Sequence, residues 1–128
     1  MNNYGTVPAS QPVIVAAVKA GLVRYSDAAT VGTKFRDGRH VRVSRIGGDG
    51  GFATDTAAFL FECYDPSEAN AERLALLVDR IMKESRGGSF AGGFVTGWRR
   101  TSGPVSFEDP GTTNPRFQLT GDVTLLVA

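Results

Sequence analysis

The chain has 128 residues, 41% of them hydrophobic and 21% charged, and a formal net charge of +1. That length fits one domain with its own core. Near-neutrality argues against a general polyanion binder, whose affinity grows with the number of phosphates neutralised. The single cysteine, Cys63, excludes an internal disulfide and a multi-cysteine metal site. No apolar run reaches membrane-spanning length, and the N-terminus lacks the charged start and apolar core of a secretory signal, so folding in a reducing cytoplasm is expected.

One domain over residues 1–128 is expected, with polar, aperiodic Met1–Ser10 as a flexible or partner-bound arm. Gln11–Leu22 predicts a helix. Pro12 stands near its start, Gly21 near its end, and Ile14, Ala17, Val18 and Leu22 form its buried stripe. Thr30–Arg36 predicts a short strand, Asp37-Gly38 a hairpin turn, and Arg39–Ile46 a strand with Val41 and Val43 on one face and His40, Arg42 and Ser44 on the other. Gly47–Gly51 reads as a flexible loop, giving an antiparallel meander of three strands.

The third of these strands, Thr54–Tyr64, is the centre of the pattern. Ala57, Phe59, Phe61 and Cys63 alternate as one apolar face. Ala58, Leu60 and Tyr64 make the other face largely apolar too, which predicts cover on both sides. Asp65 and Glu68 have capping-box spacing around Pro66, and Leu74, Leu77, Val78 and Ile81 recur at helical spacing until Gly87-Gly88. Gly87–Gly93 reads as a mobile loop carrying Phe90, followed by a strand over Phe94–Thr101. A bend or bulge at Ser102-Gly103-Pro104 precedes an extended Val105–Glu108. After a turn-rich connector, Arg116–Val127 is a long strand with Phe117, Leu119, Val123, Leu125 and Val127 inward. Gly121 in the same register marks a bulge or a close contact. The expected architecture is α+β: a mainly antiparallel sheet of about five strands with two helices on one face, in the order α-β-β-β-α-β-β.

Gly48, Gly50 and Ala53 have the spacing of a dinucleotide-binding loop. A strand follows where a helix N-terminus would have to meet the pyrophosphate, so the hairpin reading is preferred. His40 has no nucleophile-elbow serine to serve and is expected at a strand edge or interface. Cys63 falls in the apolar register and is expected to be a buried thiol. The residues point to no catalytic pair, metal cluster or cofactor, and no enzyme activity is expected. Arg39, Arg42 and Arg45, with Arg99 and Arg100 beside Trp98, could form a basic patch. An aromatic–arginine cluster suits a subunit interface or a nucleic-acid face.

Three segments resemble the tail terminator proteins of long-tailed bacteriophages. They are the strand ending Val41-Arg42-Val43-Ser44-Arg45-Ile46-Gly47-Gly48, the central strand Phe59-Leu60-Phe61-Glu62-Cys63-Tyr64, and the helix opening Ser67-Glu68-Ala69-Asn70-Ala71-Glu72-Arg73-Leu74-Ala75. The resemblance implies an α+β structural subunit of a homo-hexameric ring. Such a ring is assembled in the host cytoplasm and sits at the head-proximal end of the tail in the virion. It caps the tail tube protein, stops its polymerisation and presents a surface to a head-completion or neck protein. DNA passes through the ring without sequence reading, and no membrane, cofactor or catalytic residue is involved. Arg42, Arg45, Phe52, Phe90, Phe94, Trp98, Arg99 and Arg100 are the expected interaction residues. Two alternatives are a head–tail joining protein and, from another class, a small nucleic-acid-binding module using Trp98, Arg99 and Arg100.

Overall fold

The computed structural model describes residues 7–127. Eight elements succeed one another: α1 (Ser10–Arg24), β1 (Thr30–Gly32), β2 (His40–Gly51), β3 (Thr54–Tyr64), α2 (Glu68–Glu84), β4 (Ser89–Phe90), β5 (Gly93–Ser106) and β6 (Arg116–Val127). The strands form one sheet in the order β1-β2-β3-β6-β5-β4. The protein is α+β as expected, but the sheet has six strands and is mixed.

β3 is paired along its whole length on both sides, to β2 from Tyr64 back to Thr54 and to β6 over the same residues. Its inward side chains Ala57, Phe59, Phe61 and Cys63 are fully buried. On the same face lie Val41 and Val43 of β2, Phe117, Leu119, Val123 and Leu125 of β6, and Val95 and Trp98 of β5. The helices close this face. α1 contributes Val13, Ile14, Ala17, Val18 and Leu22, and α2 contributes Ala71, Leu74, Ala75, Val78, Ile81 and Met82. α2 lies across β3, β6 and β5, while α1 touches β1 and β2 at one side of the sheet and β4 at the other. The sheet therefore curls around its helices, in keeping with the twist of strands.

The second face of β3 is covered only in part. Tyr64 is buried beneath Phe35, whose ring centroid lies 4.9 Å away with the planes at 77°. Glu62 is buried beside Arg116. Ala58 and Leu60, halfway along, are half-buried among sheet neighbours, with no helix of the described residues over them. Within the chain the cover of this face lies at the Tyr64 end and is supplied by its own loops.

Four further expectations are corrected. β1 pairs with β2 in parallel, Thr30 opposite His40, and not as a hairpin. The cause is non-local. Arg39, at the mouth of β2, grips Asp27 ahead of β1, and Thr30 N–H donates to the Arg39 carbonyl, so β2 must start level with the start of β1. Gly47–Gly51 is not a loop. It is the outer half of β2, running to Gly51 opposite Thr54, with a bulge at Ile46. Gly48 holds φ at +124° there, and a Cβ on it would stand 2.8 Å from Ala57 Cα, so this arm needs glycine. The N-cap of α2 is Ser67, whose hydroxyl accepts from Asn70 N–H, because the Asp65 carboxylate is taken by Ser67 N–H and Arg39. Lastly, Phe90 belongs to β4, which pairs back on Gly93 and packs Phe90 against the core.

β5 continues through the bulged Ser102–Pro104 stretch to Ser106. The close contact expected at Gly121 is with Trp98: a Cβ there would lie 2.6 and 2.7 Å from Cζ3 and Cζ2 of the indole. The stretch Met1–Ser10, expected as an arm, falls mostly outside the described residues. Of its last four, Val7 packs on the core and Ser10 opens α1.

Two outcomes follow. Phe61→Asp places an unpaired charge in the core and abolishes cooperative folding, whereas a soluble mutant with a sharp melt would show that β3 is not central. Gly121→Ala overpacks the indole and lowers stability by about 1–3 kcal/mol. Trp98 is the sole tryptophan, so its fluorescence reports the change directly.

Candidate interaction surface

The arginines that the sequence groups into a patch are separated by the fold, and each has an acidic partner. Arg39 donates through Nε and Nη2 to the two Asp27 oxygens at 2.9 and 2.8 Å. Its Nη1 reaches Asp65 at 3.0 Å and the Asn70 carbonyl at 3.2 Å. It thereby ties the α1–β1 link, the end of β3 and the first turn of α2 together. The Asp27 carboxyl is held below its usual value by Arg39. Arg42 faces Glu62, which Arg116 binds more closely at 2.6 Å. Arg45 Nη2 donates to Asp55 at 2.8 Å, and its backbone N–H donates to the Gln11 side chain, joining β2 to the start of α1. Arg99 pairs with Asp122 at 3.4 Å across the uncovered face. Arg100 reaches Asp79 at 3.5 Å on the helix side.

Trp98 does not sit beside Arg99 and Arg100 as a surface platform. It is 9% exposed, edge-on to Phe61 with centroids 5.7 Å apart, and its Nε1–H donates to Asp79 Oδ1 at 2.9 Å. The reason is the space above Gly121. Burial alone would push the Asp79 carboxyl up, but Trp98, Lys83 and Arg100 together hold it down. Phe90 and Phe94 are half-buried, Phe90 against the core and Phe94 in β5 beside β4. Phe52 alone among the expected aromatics stands free: it is 93% exposed in the two-residue turn between β2 and β3.

His40 is neither an edge nor an interface residue. It is 2% exposed. Its Nε2 lies 2.8 Å from the Lys34 carbonyl and must carry the proton, which leaves Nδ1 to accept from the Thr30 hydroxyl at 2.7 Å. Burial, with Arg36 and Arg42 nearby, pushes its pKa below the usual value. Cys63 is fully buried and its thiol is pushed up by burial, so it is no thiolate nucleophile. A cleft of about 630 Å³ lies between Glu68 and the connector from Ser106 to Arg116. Two of its charged groups are engaged within the chain: Asp109 accepts from Tyr64 at 2.9 Å, and Arg116 donates to the Phe107 and Glu108 carbonyls as well as to Glu62. Among the described residues no group of His, Cys, Asp or Glu is arranged to hold a metal, and no helix is long and apolar enough to cross a membrane.

The outward face of α1 was not marked by the sequence reading. Pro12, Ala16, Lys19 and Val23 recur at i, i+4, i+7 and i+11, opposite the buried stripe, with Ala20 beside them. Val23 is 71% exposed. The available signal was the near-absence of polar residues on that side, since a helix apolar all round is normally covered.

The chain matches no protein-family model and no curated protein.

The buried polar groups set the response to pH. His40 is held neutral when folded but titrates near 6.5 when unfolded, so its contribution is complete above that pH and is lost as pH falls below it. Asp27, with a depressed folded pKa, adds stability above its ordinary 3.8 that is lost on further acidification. The melting temperature should therefore fall in two stages, and His40→Gln should remove only the first. A mutant that keeps both would show that His40 is not buried neutral. Arg39→Ala, which leaves Asp27 and Asp65 facing each other without a cation, should cost about 2–4 kcal/mol in chemical denaturation.

Proposed function

We propose that this chain is a structural ring subunit of the tail-terminator type, which caps the tube of a long-tailed bacteriophage and offers a surface for head attachment. The observation that carries the reading is the disposition of exposed apolar groups. Phe52 projects from a hairpin, and Val23, with the small side chains around it, faces outward from α1 at the far end of the domain. Two unlike patches on one subunit are what a heterologous contact uses, and such a contact gives a ring when its rotation closes. The α+β architecture, with both helices on one sheet face, agrees with what the resemblance implies. In this reading the partners are further copies, the tail tube protein and a head-completion protein, and DNA passes through the ring without base contacts. The subunit has no catalytic role and resides in the virion. A head–tail joining protein would use the same features on the head side of the joint. A nucleic-acid-binding module draws less support, because Trp98 is buried and Arg99 and Arg100 face Asp122 and Asp79.

The test is light scattering of the pure protein, with negative-stain images of it mixed with tail tubes. Ring-sized particles and tubes closed at one end are expected. A protein that stays monomeric alone and leaves tube ends bare would refute the reading.

A further inference from the structure

We infer that the Phe52 hairpin of one copy docks on the outward face of α1 of the next, and that this is the contact joining neighbours. The inference rests on the ring reading and names its joint.

Phe52 does not sit on Val23 within one chain, since both are exposed. α1 runs antiparallel to β2: its first turn sits at Arg45, through Ser10 and Gln11, and its last turn leads to the link held at the start of β2 by Arg39. The outer part of the hairpin stays beside the start of α1: Arg45 joins Ser10 to Asp55, which stands opposite Gly50, and Val7 lines a shallow cleft with Gly50 to Asp55. Val23 lies at the other end of the helix, about 20 Å from Ser10 at helical rise. Phe52 is 93% exposed and Val23 is 71% exposed at the opposite end of the helix, so the tip does not cover its own chain's patch.

The surfaces also match in shape and charge. Phe52 is a single large ring at the end of an arm whose residues from Arg45 to Gly51 are all exposed. Ala16 and Ala20 leave a shallow floor on α1, with Pro12 and Val23 along its length, and an exposed aromatic fits such a site as an anchor. Asp49 stands on the same arm, three residues before Phe52, and Lys19 lies midway along the α1 face. Among the described residues neither has an ion-pair partner, whereas Arg24 nearby is taken by Glu84. An acid beside the knob and a base beside the floor favour a second copy as the occupant and fix which way round it binds.

The test compares the concentration at which particles dissociate, by light scattering, for the full chain and four variants: Phe52→Ser, Asp49→Lys, Lys19→Asp, and the double exchange Asp49→Lys with Lys19→Asp. All four change exposed side chains, and unchanged melting temperatures verify that they fold. Phe52→Ser and each single charge reversal should raise the dissociation concentration at least about tenfold, and the double exchange should restore it. Single variants that assemble like the parent would overturn this contact while leaving the ring reading intact. So would variants that assemble normally but no longer bind tubes, since the patch would then belong to the tube. A parent chain that is monomeric both alone and with tubes would overturn the contact and the ring together.

Discussion

Everything in this domain is arranged around the double pairing of β3. Both its neighbours are bonded to it from Thr54 to Tyr64, so its backbone is satisfied internally over its whole length. That leaves its side chains to decide the layering. Phe59 and Phe61 turn inward, beneath the two helices that cover them. Glu62 and Tyr64 turn outward, where Arg116 and Phe35 shield them. The hydrophobic face sets the fold, and ion pairs at its margins set how the loops close over it.

Those ion pairs also shape what the protein can do. Arg39, Arg42, Arg45, Arg99, Arg100 and Arg116 could have made a basic surface, but each faces a carboxylate of its own chain. The partly buried ones act as ties between elements. Such ties are expensive to break, because the surviving charge is left without compensation. With these six cations paired locally, two exposed features that stand apart from them are largely apolar: a projecting phenylalanine and a helix face whose one charged side chain is Lys19. In the proposed ring reading these features serve contact with protein.

Where large side chains alternate, the sequence predicts the structure closely, and where structure depends on distant partners it does not. β3 and β6 were legible to the residue because Phe59, Phe61, Leu119 and Val123 mark their faces in period two. The outer half of β2 was hidden because glycines carry no alternation, although the following strand gave them something to pair with. The parallel β1 was hidden because it depends on Arg39 reaching Asp27, twelve positions away. Trp98 looked like a surface aromatic from its arginine neighbours. The clue to its burial was Gly121, already conspicuous in an apolar register, but its partner across the sheet could be known only once β5 and β6 were paired. Of the expected interaction residues, Phe52 remains the clearest candidate, and the α1 face became visible only when its opposite side was seen to be buried.

The most direct measurement is an electron-microscopy density map of an assembled phage particle containing this chain. A single ring of copies at the head-proximal end of the tail is predicted, with the β2–β3 turn of each copy seated on α1 of its neighbour. Density for the chain elsewhere in the particle, or no density for it at all, would contradict the account.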